Sequence, residues 1–228
     1  MKKYIGDKKF YLMVLSVAIP IMIQNGITNF VSLLDNIMVG QIGTEQMSGV
    51  AIVNQLILVF NLCIFGGVSG AGIFTAQYYG CGDQKGIRDT FRMKLWLSLF
   101  ITAAGLLVFA CFGTQLISLY LHEAGDAGDL EATLLYAHKY LRVMMVELAP
   151  FAIIQVYSGT LRETGETMLP MKAGIVAVFV NLILNYILIF GKFGMPALGV
   201  EGAAIATTVS RFVELAIVAG WTHRNKER

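Results

Sequence analysis

Apolar residues along the chain fall into six long runs, separated by short segments rich in glycine or charged residues. Stretches 95–121 and 173–191 contain no Asp, Glu, Lys or Arg at all. An apolar run of about 20 residues is long enough to cross the hydrocarbon core of a bilayer as a helix. The pattern therefore predicts six transmembrane helices, at approximately residues 10–39, 46–79, 93–119, 133–158, 168–190 and 199–221.

Composition supports a membrane location. Of the 228 residues, 56% are hydrophobic and only 14% are charged, which is more apolar surface than one soluble core can hide. We therefore expect an all-α integral membrane protein, a single six-helix bundle over residues 1–228 that is surrounded by lipid. The formal net charge of +2 gives no reason to expect a nucleic acid partner.

Lysine and arginine residues cluster at alternate ends of the predicted helices. Cytoplasmic connections of membrane proteins carry an excess of these two residues. The clusters lie before the first span, between the second and third, between the fourth and fifth, and after the sixth; they comprise Lys2, Lys3, Lys8, Lys9, Lys85, Arg88, Arg92, Lys94, Arg162, Lys172, Arg224, Lys226 and Arg228. This distribution predicts a multi-pass protein of the plasma membrane with both termini in the cytoplasm.

Polar residues in the first span recur at spacings of three and four, and so form one stripe along a helix face. An unpaired polar group in hydrocarbon costs several kcal/mol, so we expect this face to line a cavity or to pack on polar partners. Asp35 is the one acid in the stripe, and an acid inside the membrane indicates function unless it lies at the interface. The stripe comprises Asn25, Thr28, Asn29, Ser32, Asp35 and Asn36.

Three later residues are candidate partners of Asp35. Asn181 and Asn185 are four apart on one face of the fifth span, and Thr207 lies in the sixth. A carboxylate with amide and hydroxyl oxygens at a shared depth suits a hard cation or a proton. The alternative for the asparagines is hydrogen bonding that only holds helices together.

The second span adds Asn54 and Asn61 as candidate cavity-lining residues. Pro20, inside the first span, removes a backbone hydrogen bond and favours a bend. Such a bend is either a static kink or a hinge that responds to the charge on Asp35.

Three further charged residues, Glu147, Arg211 and Glu214, fall inside predicted spans, and the sequence assigns them no role. Arg211 and Glu214 are three apart and so are spaced to pair with each other. Histidines and cysteines show no ligand spacing, so we expect no metal centre of that kind, and no nucleophile and base motif indicates an enzyme.

Four stretches resemble, in the same order, motifs of the multidrug and toxin extrusion (MATE) family. Each follows or opens a predicted span, and together they extend over nearly the whole chain. They are LDNIMVGQIG at 34–43, AQYYGCGD at 76–83, LRETGET at 161–167 and GVEGAAIAT at 199–207.

The resemblance implies an antiporter that exports organic, often cationic, compounds by alternating access, driven by inward flow of sodium ions or protons. It implies no enzymatic activity and no cofactor besides that ion. Asp35 matches the family's ion-linked acid, Asn181, Asn185 and Thr207 match its polar partners, and Pro20 matches a proline linked to bending. Some members carry aspartate at the position of Asn185, so the coupling ion stays open.

The resemblance also implies an incomplete transporter. Family members, of the MOP superfamily, have about twelve helices in two lobes, and six helices correspond to the amino-terminal lobe. The missing partner is then either a carboxy-terminal lobe or a second copy of the chain. Two rival functions remain: a lipid-linked saccharide flippase of the same superfamily, and a membrane assembly subunit that transports nothing.

Overall fold

The computed structural model describes residues 7–124 and 130–225, and this part of the chain is all helical. Six helices are long and apolar enough to cross a membrane, as the hydrophobic pattern predicts. The helices are α1 Lys8–Gly40, α2 Thr44–Gly80, α3 Gln84–Ala124, α4 Leu130–Glu163, α5 Met168–Phe190 and α6 Val200–Arg224.

The third helix begins well before the predicted residue 93. The hydrophobic pattern misses its first two turns because they are charged rather than apolar. The Asp83 carboxylate accepts hydrogen bonds from the backbone N–H groups of Lys85, at 3.0 Å, and Gly86, at 3.1 Å. A side-chain acceptor at this position satisfies N–H groups that have no partner within the helix. The charged residues therefore mark the part of α3 that precedes the lipid, while the helix itself starts before them.

The prediction for Lys94 is wrong. The charge pattern assigns Lys94 to a cytoplasmic connection, but it lies inside α3 and its side chain is fully buried. Its positive charge therefore faces the protein interior rather than the cytoplasm.

Helix α4 occupies the centre of the bundle and packs against α2, α3 and α6. Helix α5 packs on α6, and α1 packs mainly on α5. Helix α1 therefore lies at one edge of the bundle. Close approach of α5 and α6 requires Gly202, since a Cβ there would lie 2.7 Å from the Leu188 carbonyl oxygen. Fully buried apolar side chains at the centre include Val53, Ile64 and Val156.

Helix α1 is the least buried of the six. Large apolar side chains along it are exposed, including Met22 at 69% and Phe30 at 60%. Most of its polar stripe is exposed as well, so the other described helices leave this face of α1 uncovered.

Candidate functional site

A polar cluster forms where α1, α5 and α6 meet, and it contains the four residues that the sequence predicts as ion ligands. Asn185 Nδ2 donates to Asp35 Oδ1 at 2.6 Å and to Asn181 Oδ1 at 3.3 Å. Asn181 Nδ2 donates to Thr207 Oγ1 at 3.2 Å. One carboxylate, two amides and a hydroxyl are thus joined in a continuous chain of hydrogen bonds.

Helical geometry positions each member of this cluster. Asn181 and Asn185 share one face of α5 and are 5% and 1% exposed, while Asp35 is half-buried on α1. The Thr207 hydroxyl donates to the Ala203 carbonyl oxygen of its own helix at 3.0 Å. That bond leaves a lone pair of Thr207 Oγ1 free to accept from Asn181.

The centre of the cluster is rich in oxygen. Asn181 Oδ1 lies 3.2 Å from both carboxylate oxygens of Asp35, so acceptors face one another. If the Asn181 amide rotates by half a turn, its nitrogen donates to Asp35 instead and its oxygen accepts from Thr207 at 3.2 Å. In addition, Asn185 Oδ1 is buried without a hydrogen-bond partner. The rotated orientation is the one in which both ends of the Asn181 amide are satisfied, and it supplies a donor to the Asp35 carboxylate.

The rest of the predicted polar stripe does not join this cluster. Asn25, Asn29 and Asn36 are exposed on α1, and the Ser32 hydroxyl donates to the Thr28 carbonyl of its own helix at 3.0 Å. These residues form a polar face that the other described helices leave exposed.

The polar residues of α2 lie apart from the Asp35 cluster. Asn54 Oδ1 accepts from the Tyr140 hydroxyl of α4 at 3.3 Å, and Asn61 is half-buried. Pro20 is buried inside α1.

The three unassigned charged residues form one buried cluster. Arg211 Nε donates to Glu147 Oε1 at 3.1 Å, and Arg211 donates through a terminal nitrogen to Glu214 Oε2 at 2.9 Å. The guanidinium also lies 5.7 Å from the centre of the Phe151 ring. The spacing of Arg211 and Glu214 correctly predicts their pairing, but not the third member, Glu147, from α4.

A second buried ion pair is not indicated by the sequence pattern. Lys94 Nζ donates to Glu163 Oε2 and, at 3.3 Å, to Thr160 Oγ1, which joins α3 to α4. On the same turn of α4, Arg162 donates to Gln24 Oε1 of α1 at 2.8 Å. The signal available in the sequence is a lysine at the second residue of the predicted span 93–119, with a glutamate near the same predicted side of the membrane.

Within residues 7–124 and 130–225, no group of three His, Cys, Asp or Glu side chains could hold a metal ion. Ion binding at the Asp35 cluster would therefore rely on one carboxylate and on neutral oxygens.

Known proteins resemble both the sequence and the fold. The MatE family model matches residues 20–187. The probable multidrug resistance protein NorM of Thermotoga maritima is 32% identical over 204 residues, which are 90% of this chain and 42% of that protein. Solved structures of MATE in the straight and bent conformations have TM-scores of 0.82 and 0.81, at 23% and 24% identity.

Each of those structures matches 95% of this chain and 46% of its own chain, so this chain spans about half the length of the proteins it matches. The family is one of transporters rather than enzymes. Because the family model extends over most of the sequence and the fold likeness over nearly all of it, the chain belongs to the MatE family and has the fold of one six-helix half of a MATE transporter.

Proposed function

We propose that the chain is the amino-terminal half of a multidrug efflux antiporter and that its Asp35 cluster binds the coupling ion. The observation that supports this proposal is the chain of hydrogen bonds that joins Asp35 to Asn181, Asn185 and Thr207. A scaffold that only held helices together would satisfy its polar atoms, whereas in this cluster the amide oxygen of Asn185 is buried without a partner.

The coupling ion in this proposal is a sodium ion or a proton. Either neutralises the Asp35 carboxylate and removes the repulsion between its oxygens and Asn181 Oδ1. When the ion leaves, rotation of the Asn181 amide supplies a donor to the ionised carboxylate. The cluster therefore has two satisfied states that differ by one positive charge, as a coupled transporter requires.

The proposed substrate is a small organic cation. The NorM relative is a probable multidrug resistance protein, which supports a drug-like organic substrate. The exposed polar face of α1 offers amides and a hydroxyl, whose oxygens attract a cation. Residues 25–36 contain no lysine or arginine to pair with the phosphates of a lipid-linked saccharide, which is the flippase alternative.

The proposed partner is a second six-helix lobe, supplied by another polypeptide segment or by a second copy of the chain. This lobe would cover the exposed face of α1 and complete the substrate cavity. We further propose a plasma membrane location with both termini in the cytoplasm, because Lys85, Arg88 and Arg92 adjoin the α2–α3 connection.

Drug efflux by cells provides the test. The chain is expressed alone and together with the carboxy-terminal half of a NorM relative, and export of an organic cation is measured with and without a sodium or proton gradient. We expect gradient-dependent export only with the second half, and none with Asp35→Asn. Asp89→Asn, which removes an exposed acid from α3, is the matched control and should export normally.

Full export by Asp35→Asn would contradict the assigned ion site. A stable homodimer that exports without the second half would show that two copies form the transporter. Absence of export in every combination, with all proteins present in the membrane, would favour the assembly subunit.

A further inference from the structure

The cluster of Glu147, Arg211 and Glu214 is unbalanced in charge. Two carboxylates share one guanidinium, and both lie deep in the bundle, with Glu147 5% and Glu214 3% exposed. Glu147 is halfway along α4 and Arg211 is halfway along α6, so the cluster lies near the middle of the membrane. An ionised carboxylate at such a depth is costly unless each of its oxygens has a partner.

Glu147 is the less compensated of the two acids. Its Oε1 accepts from Arg211, but its Oε2 is buried without any hydrogen-bond partner. Glu214 accepts from Arg211 through Oε2, and neither of its oxygens is buried without a partner. Glu147 is therefore the acid with an unmet oxygen.

Other charged groups around Glu147 do not correct the imbalance. Arg211 also interacts electrostatically with Asp35, and the Tyr140 hydroxyl is near both Asp35 and Glu147. The five ionisable groups that interact here are three carboxylates and two guanidinium groups, so one negative charge is left over. They are Asp35, Glu147, Glu214, Arg162 and Arg211.

The remaining helices packed against α4 add no cation at this depth. Lys94, the buried cation of α3, is bound to Glu163, and α2 contributes the neutral Asn54 through Tyr140. The titratable residues of α5 are Lys172, near its start, and Tyr186, which is exposed.

We propose that Glu147 takes up and releases a proton inside the bundle, as a second proton-binding carboxyl beside the Asp35 cluster. The step forms one O–H bond, between Oε2 and a proton delivered by hydronium, which leaves as water, while Oε1 continues to accept from Arg211. A neutral carboxylic acid with one unmet hydrogen bond costs far less at this depth than an unmet charge. The remaining Arg211 and Glu214 form a neutral pair.

A proton fits this position better than a metal ion. Sodium and calcium need several oxygen ligands, and the guanidinium of Arg211, bound to both carboxylates, would repel a cation placed among them. The proposal concerns this chain alone and does not require that Asp35 be the coupling site.

Infrared difference spectroscopy of the purified chain in lipid nanodiscs tests it. At neutral pH exposed carboxylates are ionised, so a carbonyl-stretch band of a carboxylic acid reports a buried protonated acid. We expect this band in the wild-type protein and its disappearance on raising the pH. It should be absent in Glu147→Gln and present in Glu201→Gln, the control at a half-exposed acid on α6.

Two further variants distinguish the candidate acids. Asp35→Asn should keep the carboxylic acid band. If the band is instead lost in Asp35→Asn and retained in Glu147→Gln, the proton belongs to Asp35 and the proposal is overturned. In Glu214→Gln, Glu147 is the one carboxylate that pairs with Arg211, which favours its ionised form. The band should therefore vanish at a lower pH than in the wild type. If the pH at which the band disappears is the same in Glu214→Gln as in the wild type, the proposal is also overturned. This comparison can be made even if Glu147→Gln fails to fold.

Discussion

Two buried charged regions of this bundle differ in whether their charges balance. Lys94 and Glu163 join α3 to α4 as one cation and one anion, and Thr160 adds a further hydrogen bond. In the region around Arg211 and Asp35, carboxylates outnumber guanidinium groups, and Glu147 Oε2 and Asn185 Oδ1 have no partner. A balanced pair is complete without a ligand and stabilises helix packing, whereas an unbalanced group gains stability when it binds a proton or a cation.

The largest expected effect is on the balanced pair. Lys94→Met leaves the Glu163 carboxylate without its cation and should lower the free energy of unfolding by about 3 kcal/mol. Equilibrium unfolding in detergent measures this. Arg92→Met, which breaks the exposed Arg92–Asp89 pair, is the control and should cost less than about 0.5 kcal/mol. Equal losses for the two variants would show that the Lys94 pair does not hold the helices.

A smaller loss should follow from crowding the same pair. A Cβ at Gly72 of α2 would overlap the Glu163 carboxylate, so Gly72→Ala should displace it from Lys94 and cost about 1 to 2 kcal/mol. Gly70→Ala is the control, because nothing lies within 4 Å of a Cβ there. If the cost of Gly72→Ala persists undiminished when Lys94 and Glu163 are both replaced by methionine, the pair is not its cause.

Neighbouring threonines of α6 allow a finer comparison in the unbalanced region. Thr207→Val removes the acceptor of Asn181 Nδ2 and should cost about 1 kcal/mol, together with weaker sodium or proton binding. Thr208 donates only to Ala204 of its own helix, at 2.9 Å, so Thr208→Val should leave ion binding unchanged. Ion-dependent thermal stability of both variants checks this, and equal ion responses would remove Thr207 from the site.

The smallest effect on stability is expected for Pro20→Ala, which restores a backbone hydrogen bond in α1. If bending at Pro20 couples ion binding to conformational change, this variant should export more slowly beside a second lobe while its ion-dependent stabilisation stays unchanged. Efflux rates and melting curves of the same preparation separate the two effects. Unchanged transport kinetics would make Pro20 a static kink.

The six helices and the Asp35 cluster were predictable from sequence for different reasons. Apolar runs report the membrane directly, and the spacing of Asn181 and Asn185 places both on one face of α5. Their shared depth with Asp35 in the predicted topology indicates a common site, and the resemblance to the family implies the same grouping. The hydrogen bond between Asn185 and Asp35, 150 residues apart, follows only from the packing of α1 against α5.

The buried ion pairs were not predictable in the same way. Lys94 lies 69 residues from Glu163, and Arg211 lies 64 from Glu147. A charge at the end of an apolar run has the same local sequence whether it faces water or a distant partner. Only the packing of α4 against α3 and α6 distinguishes the two situations.

The thermal stability of the purified chain, with and without sodium and at acidic and alkaline pH, tests the central claim most directly. We predict that sodium or protons stabilise the wild type, and that Asp35→Asn removes the response that Asp89→Asn retains. Measuring the same variants in the Glu147→Gln background isolates the contribution of Asp35 from that of the second carboxyl. If Asp35→Asn leaves both the sodium response and the pH response unchanged in that background, the Asp35 cluster does not bind the coupling ion.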